Sequence, residues 1–322
     1  MSVRLFIVLL AVSKMVYVMS VKPKSSSHGS RRRFLLIVSL ILVVVLISSL
    51  FVYVFVVDNK GVIHVKSEVE LRRAIDGVKF SESAIIAFDR DVSLIGTLIV
   101  PVGRDITLVS SKGDGFFKLF GPNGDTVLRV ESGGVLRLDG IIVTHANGIN
   151  GNGVEVNVGG TLIMLDGEIS NNICETFGGL GGGVNNMGTF ELYGGKISDN
   201  IFSLNGAGVS NSNTAVFKMF GGVISNNTSL HSCGGGVSSS GTFVMSGGVI
   251  SGNIAKSVYS GLGGGVYLSW GTFEMSGGEI SGNVAREGGG VYLCKDTFNW
   301  TGGIISGNTA DTDNDVCKNG IW

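Results

Sequence analysis

The chain has 322 residues, a formal net charge of -1 and four cysteines, but residues 1–60 hold eight Lys or Arg against one acid while residues 150–322 hold 13 acids against 6 bases. The second half offers no basic patch to neutralise phosphates, which excludes nucleic acid as a partner. Cys174, Cys233, Cys294 and Cys317 occupy different sequence contexts and are too sparse for a disulfide-built scaffold, leaving room for one or two incidental bridges.

In chain order, residues 5–21 are apolar but interrupted by Lys14. They read as upstream sequence before a start at Met15 or Met19, with a signal-like segment or a second span as alternatives. Arg31, Arg32 and Arg33 then precede an uncharged stretch that Phe34 opens and Val57 closes, 24 residues long. About 20 apolar residues cross the hydrocarbon layer. The basic cluster on its N-terminal side predicts a single-pass anchor with residues 1–33 in the cytoplasm and everything after it on the extracytoplasmic side.

Residues 58–80 read as a linker and a capping helix. Ser67 and Glu70 form a capping-box pattern, and Val69, Leu71, Ala74, Ile75 and Val78 recur at helical spacing. Alternating segments at 84–88, 97–100, 106–109, 126–130 and 135–138 read as strands of irregular first coils. A helix laid over the end of such a stack protects a raw sheet edge.

From residue 162 onward one unit recurs six times, most clearly as GTFEMSGGEISGN at 271–283. An apolar residue (Leu162, Phe190, Phe217, Phe243, Phe273, Phe298) is followed seven positions later by Ile169, Ile197, Ile224, Ile250, Ile280 and Ile305. Those isoleucines lie 28, 27, 26, 30 and 25 residues apart. A fixed unit joined by elastic loops marks a solenoid. Within the unit, Phe273, Glu274 and Met275 alternate as a strand does, and a Gly pair then breaks the strand. A further strand follows each glycine run at Val184, Val209, Val237, Val266 and Val291.

The fold class predicted for residues 81–322 is therefore all-β: a right-handed parallel β-helix solenoid with three strands per turn. Residues 92–315 should make roughly eight coils over about 40 Å at the spacing of paired strands. Phe190, Phe217, Phe243, Phe273 and Phe298 should stack inside. Asn172, Asn200, Asn227, Asn253, Asn283 and Asn308, one at the end of each unit, should form a ladder of side-chain amides along the axis.

The segment GGGVYLSWGTFEMSGGEISGN at 263–283 resembles the β-helix repeat of adhesin-like surface proteins of bacteria and archaea, in the broad pectate-lyase-like superfamily. Its glycine run and Ile-Ser-x-Asn ending are also similar to the polymorphic outer-membrane repeat. The likeness covers residue 67 to the C-terminus, with no counterpart of an autotransporter barrel up to Trp322. It implies a cell-surface role in adhesion or carbohydrate binding, with cell-surface glycans or other cells as partners. A polysaccharide lyase or glycoside hydrolase of the same fold, and a structural spacer, are the alternatives.

Catalysis on such a coil needs clustered carboxylates. The outward slot carries Glu191, Lys218, Val244, Glu274 and Asn299, and the next one Tyr193, Phe220, Ser246, Ser276 and Thr301. Neither stacks acids, so no catalytic residue, and no cofactor, is assigned. The threonines at 189, 242, 272 and 297 form too broken a column for ice binding. His145 and His231 read as loop residues, and Asp139 and Asp166 as turn residues. Asp311, Asp313 and Asp315 alternate like calcium ligands, but Val316 stands where that template requires glycine, so they are weak metal candidates. Asn226, Asn227 and Asn299 open glycosylation acceptor patterns.

Overall fold

The computed structural model describes residues 61–111, 113, 115–174, 181–294 and 297–318. The predicted span at 34–57 and the segment before it lie outside the described residues; within those described, no helix is long and apolar enough to cross a membrane.

Period-2 alternation makes one face of each short strand apolar. Thr189–Leu192, Val216–Met219 and Thr242–Met245 all bury their second and fourth residues. Because that face repeats in every coil, the strands stack in parallel with like on like: Phe190 beside Phe217, then Phe243, Phe273 and Phe298. A 15-stranded, a 9-stranded and a 4-stranded sheet result. The protein is a parallel β-helix.

Nine strands in the second sheet mark nine turns, one more than expected from sequence. The early coils contain strands that do not share the repeat, such as Phe117–Phe120, which pairs with residues 141–144. Three middle coils have four strands rather than three, as in Val184–Asn186, Thr189–Leu192, Lys196–Ser198 and the two-residue Ile201–Phe202 just after the ladder asparagine. The Gly pair separates two strands in the middle coils, as expected. At Val135–Thr144, Thr161–Ser170, Thr272–Ser281 and Thr297–Ser306 single ten-residue strands instead run through the corresponding corner, and shifts of register at that corner absorb the bend. Gly248 shows why glycine stands there. Its φ is +85°, and a Cβ would lie 2.5 Å from Met219 Cε and 2.7 Å from the Gly221 carbonyl oxygen.

Inside, the phenylalanine rings stack face to face with centroids 4.8, 4.8, 4.5 and 4.9 Å apart. Ile169, Ile197, Ile224, Ile250, Ile280 and Ile305 form a second buried column.

The asparagine ladder is continuous. Each Oδ1 from Asn200 to Asn308 accepts both the backbone N–H and the Nδ2 of the asparagine one coil earlier, the side-chain bonds all at 2.9 Å. Each Nδ2 also donates back to a carbonyl of the preceding coil, as Asn227 does to Ile197 at 3.0 Å. The residue before each ladder asparagine has positive φ and is Asn171, Asp199, Asn226 or a glycine, the types that tolerate a left-handed backbone.

Both ends of the ladder differ from the sequence reading. At the N-terminal end His145 lies in the loop just after the strand Val135–Thr144, as expected, but is buried and joins the ladder. Its Nδ1 stands 2.8 Å from Asn172 Oδ1, which only accepts, so that nitrogen donates; its Nε2 lies 3.2 Å from the Asp125 carbonyl. At the C-terminal end Asp315 stands where the next asparagine would be, and its Oδ1 accepts Asn308 N at 3.2 Å and Nδ2 at 3.0 Å. A polar trio that no repeated residue announces lines the second sheet: Asn186 Nδ2 donates to Asn211 Oδ1 at 2.8 Å and Asn211 Nδ2 to Ser239 Oγ at 2.9 Å.

Helix α1 spans Glu68–Gly77 with Ser67 as its N-cap. The reciprocal half of the box is displaced by one residue, since Glu70 Oε2 accepts from Lys66 N rather than from Ser67 N. Leu71, Ala74, Ile75 and Val78 join the main core, which makes α1 the expected lid, whereas Val69 is exposed.

Candidate functional site

Four columns of side chains emerge from the outer face of the long sheet. The first is β-branched: Thr161, Thr189, Val216, Thr242, Thr272 and Thr297 in register. The second runs Arg137, Ile163, Glu191, Lys218, Val244, Glu274 and Asn299. In it Glu191 and Glu274 are separated by two coils that carry Lys218 and Val244, so these acids do not meet. Lys218 Nζ and the Tyr193 hydroxyl each donate to the Glu191 carboxylate at 3.1 Å. Burial first, and then the Glu191 charge, push the Tyr193 phenol above its ordinary value and keep it neutral.

The third column holds Tyr193 and Phe220, then Ser246 and Ser276. The two rings stack with centroids 4.7 Å apart and planes 19° from parallel, yet they remain 44% and 41% exposed. A stack on the inner face is core; this one faces solvent, with the threonines of the first column and Ser246 and Ser276 of its own column on the same face.

The fourth column brings together two acids that the sequence places at matching corners and reads as turn residues. Asp139 and Asp166 are in register on neighbouring coils at the corner of the long sheet. Asp139 is exposed at the corner, yet partial desolvation of its carboxyl there, and next the Asp166 charge, raise it above its ordinary value. A raised value means that the folded state disfavours the ionised form, so stability is lost as the pH rises through the carboxylate range. Asp139→Asn is therefore expected to raise the thermal midpoint at pH 7, with the gain shrinking toward pH 3. An equal gain at both pH values would show that charge is not its source.

On the second sheet, the outer column is mostly covered. Arg129 Nε donates to Glu155 Oε2 at 2.6 Å, and farther along Tyr267 and Tyr292 stack, with Cys294 Sγ 3.2 Å from the Tyr267 hydroxyl. No disulfide joins the four cysteines. Burial pushes the Cys233 thiol up to about 11 and the Cys317 thiol up to about 12, which leaves almost no thiolate at neutral pH.

Asp311, Asp313 and Asp315 do not converge. Asp315 completes the ladder, Asp313 takes positive φ, and Asp311 donates its backbone N–H to Arg286. Among the described residues no group of three or more His, Cys, Asp or Glu side chains is placed to hold a metal ion. Of the asparagines in acceptor patterns, Asn227 is fully buried in the ladder, whereas Asn226 and Asn299 are exposed. Two clefts lie at the ends of the described stack, one between α1 and residues 98–101, the other lined by Phe298, Trp300, Asp313, Val316 and Lys318. Neither gathers catalytic groups. No protein-family model, curated protein or solved structure matches this chain.

Proposed function

We propose that the protein is a membrane-anchored surface β-helix that binds carbohydrate through the outer face of its long sheet. The observation that carries this reading is the exposed Tyr193–Phe220 stack, set among hydroxyl-bearing columns and beside the internally neutralised Glu191–Lys218 pair. Aromatic surface that the core does not use, next to hydrogen-bonding groups, is the composition of a binding face. Anchoring rests on Arg31 to Arg33 before the apolar span at 34–57.

The test is a glycan-array screen of the full-length protein in detergent, together with protease applied to intact cells. Binding of at least one glycan class and removal of the β-helix from outside are the expected results. Absence of any glycan signal, or digestion only after lysis, overturns the corresponding half of the reading.

One observation favours a second reading, a polysaccharide-degrading enzyme: the registered Asp139 and Asp166 supply the neighbouring carboxylates that acid and base chemistry uses. Incubation with polygalacturonate and alginate, with and without calcium, decides it. Turnover that disappears in Asp166→Asn would replace the binding reading.

A further inference from the structure

The geometry of the aromatic column points to a particular kind of ligand and a particular place for it; the inference rests on the carbohydrate reading and deepens it. Tyr193 and Phe220 sit on consecutive coils and stack along the coil axis, so their ring normals point roughly along that axis. One face of Phe220 is covered by Tyr193. The other looks toward the next coil, where the same position is Ser246, followed by Ser276, both exposed. Among the described residues no other ring packs on it.

In the core, phenylalanines on successive coils stack 4.5 to 4.9 Å apart. The coil repeat therefore equals the distance at which a ring packs on the one below. Outside, the ladder stops after two rings and leaves a step one coil high above a serine.

We propose that this step, the far face of Phe220 over Ser246, is a subsite for a neutral pyranose ring. The apolar C–H face of the sugar lies on Phe220 as the next member of the stack. Its hydroxyl rim meets Ser246, Ser276 and the exposed Glu274 carboxylate, groups that hydrogen-bond to hydroxyls. An aromatic side chain from a protein partner would find the same ring but a hydroxylated surround.

Charge narrows the class further. From residue 219 to 285 the only cation is Lys256, in the loop that follows the strand Ile254–Ala255 and away from this face. Lys218 is already engaged by Glu191 at 3.1 Å. A uronate carboxylate here would face Glu274 and Glu279 with no counter-charge.

The experiment compares wild type, Phe220→Ala and Ser246→Phe as full-length proteins, titrated with oligomers of glucose, galactose and mannose and with polygalacturonate. Ser246→Phe fills the step with the residue type that the column already carries one coil earlier, so it should fold and lengthen the stack. Neutral oligomers are expected to bind wild type, to lose affinity about tenfold in Phe220→Ala, the size of truncating an aromatic anchor, and to bind Ser246→Phe, whose added ring presents the same step one coil further over Ser276, with thermal midpoints changed by a few degrees at most; polygalacturonate should not bind. Neutral-glycan binding unchanged in Phe220→Ala overturns the subsite while the wider binding reading stands. Preferential uronate binding overturns the ligand class. Absence of all glycan binding overturns both, and so does a protein ligand lost in Phe220→Ala where no glycan binds.

Discussion

Replacing Asn227 with aspartate is expected to lower the unfolding free energy by about 3 to 5 kcal/mol, the range for a buried charge left without compensation. Asn227 is fully buried and uses every hydrogen-bonding atom of its amide. Its Oδ1 accepts from Asn200, and its Nδ2 donates to the Ile197 carbonyl and to Asn253 Oδ1. A carboxylate keeps the first set and turns the second into contacts between oxygens. Asp315→Asn is the informative contrast. Only one oxygen of Asp315 is required by Asn308, and an amide oxygen accepts equally well, so a change within about 1 kcal/mol is expected. Urea titrations of both variants measure the difference. Equal midpoints for Asn227→Asp and wild type would mean that the ladder does not hold the coils in register.

Phe243→Ala is expected to be comparably severe, at about 3 to 5 kcal/mol for removing a buried ring from a close-packed core. The ring is fully buried between Phe217 at 4.8 Å and Phe273 at 4.5 Å, and a backbone tied into three sheets cannot collapse into the gap. Tyr193→Ala removes the same kind of stacked ring from the outer face, where solvent fills the space, and should lose about 1 kcal/mol. Thermal melts of the two variants separate core stacking from surface stacking. Equal losses would contradict the assignment of Tyr193 to the outer face.

What could be read from the residues depended on repetition. Phe, Ile and Asn recur at one position in coil after coil, so the inner columns and the ladder followed from spacing alone. The polar trio of Asn186, Asn211 and Ser239 continues a column that holds Val156 before it and Leu268 after it, so no recurring residue type marks it. His145 and Asp315 escaped for a related reason: a terminating group differs from the members it terminates. The outer slots were legible as lists of residues. The sequence also set Tyr193 beside Phe220 and Asp139 beside Asp166 in matching slots; that the rings stack in solvent and that the two carboxyls interact required side-chain positions, which repetition does not specify.

The ladder has a direction. Every amide passes its N–H toward the C-terminal coils and presents its oxygen toward the N-terminal ones, from the His145 donor at one end to the Asp315 acceptor at the other. Since each interior asparagine meets the same partners before and after, excision or duplication of one complete coil, for instance from Thr228 through Asn253, leaves every junction of the ladder chemically identical, although excision there also removes Ser239 and sets Asn211 against Leu268. A partial coil would instead set an unlike residue against an amide. Length is thereby quantised in this architecture: the ladder lengthens or shortens by whole turns between two fixed terminators, and the distance between the lid and the far end changes without any redesign of the ladder itself.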